Sequence, residues 1–210
     1  MDDNKRFWSK TAKLYERFTR GKKSSARAYQ ELEQVTAAQL NHTMHVLELA
    51  AGPAMLSKAI ASACATLEVT DFSPEMLAQA EKKGLPTNVT FAIADATKLQ
   101  YQAGKFDAVV IANALHIMPE PVRAIKEIKR VVKADGIIIA PTFTRDHIKS
   151  HLIERLMEAI GFKTFSRWTH KTYLNFLRKQ GLIVVKQKVI TGHNFPISFV
   201  VCKKKNNRIR

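Results

Sequence analysis

The 210-residue chain carries 34 Lys and Arg against 18 Asp and Glu, a net charge of +16, and 46% of it is apolar. A chain of this size can bury a proper core and reads as one domain. It has no apolar run of about 18 residues, no apolar stretch in its opening MDDNKRFWSK, and only Cys64 and Cys202 as thiols. No membrane-spanning helix, signal peptide, disulfide framework or structural metal is therefore expected, and a cytoplasmic protein is.

The charge is unevenly placed. Residues 1–45 carry +4, residues 46–144 are neutral, and residues 145–210 hold 15 basic groups against 3 acidic ones. Such an excess serves solubility or favours contact with anions: nucleic acid, an acidic membrane surface or an anionic substrate.

In chain order, the spacing predicts an amphipathic helix over residues 5–20, with Trp8 and Tyr15 on it, and a second helix after a Gly21–Ser25 loop. Val46–Ala50 is a short apolar strand that runs into Gly52 and Pro53, and an Ala-rich helix follows over Met55–Ala65. A second strand, Thr66–Thr70, ends at Asp71. Ser73, Pro74 and Glu75 then supply an N-cap, a proline at the first helical position and an acid in the first turn. Val89–Ile93 and Phe106–Ala112 read as the third and fourth strands. Pro121 opens a helix whose Val122, Ile125, Ile128 and Val132 recur at helical spacing, Gly136 is expected to stop it, and Ile137–Ala140 is a fifth strand.

After that the spacing predicts a helix over His147–Ile160, another capped by Thr169 and ending at Gly181, and an antiparallel hairpin of Leu182–Ile190 with Ile197–Val201. Strands apolar on both faces alternating with helices predict a doubly wound, mostly parallel α/β sheet of seven strands with an antiparallel C-terminal hairpin strand. The expected layout is one domain over 1–210: a helical cap over 1–45, a binding core over 46–144, and a basic acceptor-side segment with the hairpin over 145–210.

Ligands of doubly wound sheets bind at the carboxyl ends of the strands. Here those ends carry Glu48 and Gly52, then Asp71, then Asp95 and Ala96, then Asn113 and His116. An acid about 20 residues past a glycine turn is placed to accept ribose hydroxyls. The turn lacks G-x-G-x-x-G, so it offers no cradle for a pyrophosphate, which argues against a nicotinamide dinucleotide. Asp95 can accept from an adenine amine. Two aspartates sharing one pocket, with Glu48, suit a nucleoside bearing positive charge, and a sulfonium nucleoside fits.

These residues resemble the class I S-adenosylmethionine-dependent methyltransferases, in particular the ubiquinone/menaquinone-biosynthesis type. VLELAAGPA is similar to that family's first motif, VTDFSPEML to its second, FAIADATKL to its third and FDAVVIANALHIMPEP to its fourth; VVKADGIIIAPTF is similar to the strand that follows. The resemblance covers roughly residues 40–144. It implies S-adenosylmethionine as cofactor, S-adenosylhomocysteine as product, and a cofactor site of Glu48, Ala50, Gly52, Asp71, Phe72, Met76, Asp95, Ala96 and Asn113. Ala50 and Ala54 stand where the family carries its first and third glycines, which bears on affinity more than on fold.

His116 and His193 are the candidate catalytic bases, and Tyr15 a candidate lid residue. The acceptor is expected to be small or lipid-like; the alternatives are a catalytically inactive binding protein of the same fold and an RNA-directed methyltransferase. The basic C-terminal third, with Arg145, Arg167, Lys171 and Arg178, suits an anionic acceptor or peripheral contact with an acidic membrane. No helix-turn-helix, zinc-finger or RNP signature supports specific reading of nucleic acid.

Overall fold

The computed structural model describes residues 23–146, 164–192 and 195–205. Helix α1 (Lys23–Ala37) leads into β1 (His45–Leu49), α2 (Ser57–Ala61), β2 (Thr66–Asp71), α3 (Pro74–Glu81), β3 (Val89–Ile93) and β4 (Phe106–Ile111). A 3₁₀ turn (Leu115–Ile117) precedes α4 (Pro121–Val131), β5 (Val132–Ile139), β6 (Thr142–Phe143), α5 (His170–Lys179), β7 (Leu182–Ile190) and β8 (Ile197–Lys204).

The sheet order is β3-β2-β1-β4-β5-β8, with β7 on the outer side of β8 and the two-residue β6 extending the β5 side. Strands β1 to β5 pair parallel, and β8 runs antiparallel to β5, β6 and β7. The predicted doubly wound sheet is therefore present, and β6 raises the strand count to eight. Two residues are too few for alternation to register in sequence.

Successive residues of a strand point to opposite faces, so β1 needs apolar side chains at each step. Leu47 and Leu49 join one core with Ile125 and Ile128 of α4 and Tyr173 and Leu177 of α5. Val46 joins the other, with Tyr29 and Leu32 of α1, Ile60 of α2 and Leu77 of α3. Burying a side chain such as Leu47 contributes about 2 kcal/mol. Tyr173 crosses its core to donate to the Ala140 carbonyl at 2.7 Å, which ties α5 to the end of β5.

Local chemistry sets the helix starts. Ser73 Oγ accepts from the Met76 amide, Pro74 opens α3 and Glu75 lies in its first turn, as the sequence predicts. Thr169 and Thr172 form a capping box at α5. Three expectations need correction. Only Ser57–Ala61 of the expected Met55–Ala65 helix is regular, because Ala54 is left-handed. Val122 is 51% exposed rather than on the buried stripe. Gly136 ends no helix: α4 already passes into β5 at Val132, and Gly136 lies inside that strand. A Cβ there would meet the Asp107 carbonyl oxygen at 2.6 Å and Val132 Cγ2 at 2.7 Å, where β4 and β5 shift register. The glycine permits close approach of two strands.

The expected helices over residues 5–20 and 147–160, Trp8, Tyr15, Lys149, Arg155, His193 and Asn194 lie outside the described residues. No helix among the described residues is long and apolar enough to cross a membrane.

Candidate active site

The carboxyl ends of β2, β1 and β4 open onto one cleft. Its floor is the turn after β1, where Ala50 (φ 51°), Gly52 (φ 56°) and Ala54 (φ 56°) are all left-handed. That conformation costs an L-residue about 1–2 kcal/mol, so the two alanines hold it only because their surroundings enforce it. Ala51 N–H donates to the Thr70 carbonyl at 2.9 Å, and Gly52 N–H donates to Asp71 Oδ2 at 2.8 Å. The alanines thus hold a left-handed backbone path that glycine adopts freely. A Cβ on Gly52 would approach only the Met76 sulfur, at 4.0 Å, so the backbone at Gly52 is open to the cleft.

Two carboxyl groups line the cleft, and among the described residues no Lys, Arg or His does. Asp71 is 4% exposed; Oδ1 accepts from Ser73 N–H and Oδ2 from Gly52 N–H. Burial raises its pKa, and the amides of Ser73, Gly52 and Phe72 pull it back down. Each oxygen keeps a further acceptor site for a hydroxyl. Glu48 is 2% exposed and accepts from Ser57 Oγ at 2.5 Å, while Thr70 Oγ1 donates to the Glu48 carbonyl. Burial pushes the Glu48 carboxyl up to about 7; the Ser57 hydroxyl lowers it, and the charge of Asp71 raises it further. With acids as the charged groups of this lining among the described residues, the cleft favours a cationic ligand and opposes a phosphate.

Of the residues expected at the cofactor, Glu48, Ala50, Gly52, Asp71, Phe72, Met76 and Asn113 all line the cleft. Asp95 and Ala96 do not. Asp95 Oδ1 accepts from the Thr97 amide and hydroxyl, both at 2.8 Å, and Ala96 is buried in the core. The expectation that Asp71 and Asp95 share a pocket is therefore not met: Asp95 is not among the residues lining the cleft, and its Oδ1 is held in an Asx turn after β3. His116 also stands back. The 3₁₀ turn presents Ala114 and Ile117 to the cleft, whereas His116 Nδ1 bonds Thr142 Oγ1 at 3.0 Å and its ring meets the Phe143 ring edge-on. Burial lowers the imidazole to about 4.

Sequence reasoning missed Tyr29, which reaches the cleft from α1, and Ser57, which satisfies Glu48. For Ser57 a signal existed, since an acid inside an apolar strand needs a nearby donor. For Tyr29, in a helix before the first strand, none did. Lys171, Arg178 and Lys179 lie on the exposed face of α5.

Residues 47–140 match the methyltransferase-domain family. The chain is 32% identical over 130 residues to a ubiquinone/menaquinone biosynthesis C-methyltransferase of Allorhizobium ampelinum, covering 59% of this chain and 50% of that protein. It thus spans about half the length of the curated relatives it matches. Its fold superimposes with a TM-score of 0.76, at 18% identity over 97% of this chain and 96% of the other, on a Haloferax volcanii structure, a methyltransferase complexed with the Trm112 activator. It superimposes with a TM-score of 0.72, at 19% identity over 98% and 97%, on DhpI bound to S-adenosylhomocysteine.

Proposed function

We propose that the chain, whose residues 47–140 match the methyltransferase-domain family, is a class I S-adenosylmethionine-dependent methyltransferase that transfers a methyl group to a small, ring-bearing acceptor. The observation that carries this is the pairing of Asp71 and Glu48 in a cleft over a left-handed turn, with no cation in its wall among the described residues.

The residues present fit the cofactor. Asp71 has acceptor capacity left for the two ribose hydroxyls, and its own amide partners hold it rigid. Glu48 stands between the ribose acid and the end of β4, where a nearby cation favours its ionised form. The open backbone at Gly52 allows close approach. The cofactor supplies an electrophilic methyl on a sulfonium. What remains for the protein is to align donor and acceptor and keep water out.

The acceptor side is supported by rings near the same sheet edge. Phe143 contacts both His116, at 5.7 Å between ring centroids, and Phe195, at 6.2 Å. His116, neutral at pH 7 because of its burial, holds Phe143 and Thr142 in place. The name of the Allorhizobium relative favours carbon methylation of a quinone-type ring. Incubation with methyl-labelled S-adenosylmethionine and reduced benzo- or naphthoquinones lacking a ring methyl tests this. Label should enter the quinone fraction. Label in RNA instead, or in neither, contradicts the acceptor assignment.

A further inference from the structure

Three of the six exposed large apolar side chains among the described residues lie on one strand: Ile183 (49% exposed), Val185 (46%) and Val189 (38%) of β7. This is the outer strand beyond β8, and its pairing fixes which side chains share a face. Ile183 stands opposite Lys203 and Lys186 opposite Val201. Residues two apart on a strand point to one side, and Val201 lies in the core with Tyr29 and Leu32 of α1. Ile183, Lys186 and Lys203 therefore share the α1 side of the sheet. Helix α1 covers this face only in part: Glu31 pairs with Lys188 at 2.6 Å, and Gln39, just past the helix, accepts from Lys186 at 2.7 Å. Ile183 and Lys203 lie beyond that cover, both exposed. Lys205 follows β8, its N–H donating to the Gly181 carbonyl at 3.2 Å, and Lys179 ends α5 just before that glycine. Among the described residues no ion pair engages Lys179, Lys203 or Lys205.

The occupant follows from what this patch holds and lacks. Exposed branched side chains on an outer strand would suit pairing with another strand, yet β7 resists it. Val185 is the extra residue of a bulge, and Lys186 and Lys188 follow at once. Bulges and lysines are the devices that keep sheet edges from pairing. Single-stranded nucleic acid is held by cations together with aromatic rings that stack on the bases, and β7 has no aromatic residue. Aliphatic side chains among lysines free of ion pairs match the headgroup region of an acidic bilayer, which takes apolar groups at the acyl boundary and cations at the phosphates. The 15 basic groups against 3 acidic ones over residues 145–210 complement its negative charge.

We propose that Ile183, Val185, Lys179, Lys203 and Lys205 form a docking surface for an acidic lipid bilayer. The lysines meet headgroup phosphates, and the two aliphatic side chains enter the acyl boundary. Strands β5 and β7 both run antiparallel to β8, so the start of β7 lies toward the amino ends of the parallel strands. The cleft opens at the opposite, carboxyl ends. Docking therefore keeps the cleft off the bound face, and the surface is independent of the cofactor that the cleft takes.

Cosedimentation of the full chain with vesicles of equimolar phosphatidylglycerol and phosphatidylcholine tests this, against vesicles of phosphatidylcholine alone. Binding should require phosphatidylglycerol and fall as salt screens the lysines. Lys203→Gln and Lys205→Gln should each weaken it roughly fivefold, the worth of one lysine at an anionic surface. Ile183→Thr with Val185→Thr keeps the charge and the branched shape that strands favour, and should weaken binding roughly tenfold. Lys58→Gln with Lys126→Gln, exposed on α2 and α4, removes as much charge elsewhere and should leave binding unchanged. Equal binding to both vesicles, binding to neither, or equal losses in the two lysine pairs would overturn the proposal. RNA bound in preference to the vesicles, and released by the Lys203 and Lys205 changes, would overturn it in favour of nucleic acid. A dimer in analytical ultracentrifugation that Ile183→Thr disperses would assign the face to a second copy instead.

Discussion

Asp71, the last residue of β2, accepts a hydrogen bond from the Gly52 amide in the turn after β1, across 2.8 Å. One carboxylate thereby holds the left-handed turn in place and presents its remaining lone pairs to the cleft. Fold and ligand binding are coupled at this residue. Asp71→Ala frees the Gly52 and Ser73 amides at once. It should cost about 1–3 kcal/mol in urea unfolding, and unchanged stability would show that the turn stands without the clamp.

Ala50 and Ala54 occupy conformations that glycine adopts freely. Ala50→Gly and Ala54→Gly relieve that strain but add freedom to the unfolded chain, so each should stabilise by about 0.5–1 kcal/mol net. Urea midpoints check this. The opposite change, Ala50→Val, puts a β-branched residue where φ is positive and should destabilise by more than either gain.

Stability should follow pH through two buried groups with opposite slopes. Glu48 is raised from 4.5 to about 7, so its stabilising contribution is complete below pH 4.5 and is lost as pH rises through 7. Asp71, also raised, acts in the same sense. His116 is lowered from 6.5 to about 4, so its contribution is complete above pH 6.5 and is lost as pH falls through 4. The Glu48 and His116 shifts are each worth on the order of 3 kcal/mol. Glu48 and His116 oppose each other between pH 4.5 and 6.5, and only carboxyl losses remain above 6.5. Unfolding of wild type from pH 4 to 9 should show a decline above pH 6.5, and Glu48→Gln should reduce that decline. A decline undiminished in Glu48→Gln would assign it to other groups.

Gly136→Ala should destabilise by about 1–3 kcal/mol, because the added methyl meets a backbone carbonyl that cannot step aside. Thermal melts of the variant test this. A neutral substitution would mean that β4 and β5 separate more easily than their pairing indicates.

Much of the architecture was legible because strand and helix periods differ. Val89–Ile93 and Leu182–Ile190 coincide with observed strands, and the Ser73–Pro74–Glu75 signal marks the start of α3. The strand-end rule also pointed to Asp71, Gly52 and Asn113. What sequence could not carry was side-chain direction after a strand ends. His116 and Asp95 both follow strands, yet a 3₁₀ turn rotates the first toward Thr142 and an Asx turn closes the second on Thr97. Gly136 misled for a related reason, since a glycine that stops a helix and one that lets strands touch look alike in sequence. Tyr29 needed the packing of α1 on the sheet, a contact distant in the chain.

The central claim is that the cleft at Asp71 and Glu48 takes an adenosine bearing a sulfur substituent. Titration calorimetry with S-adenosylhomocysteine, on wild type and on Asp71→Ala, measures it most directly. The account predicts saturable binding at one site per chain, abolished in the variant, and about 2.7 kcal/mol of added stability at roughly 100 times the dissociation constant. Absence of heat at millimolar ligand, or equal binding by the two proteins, would contradict it.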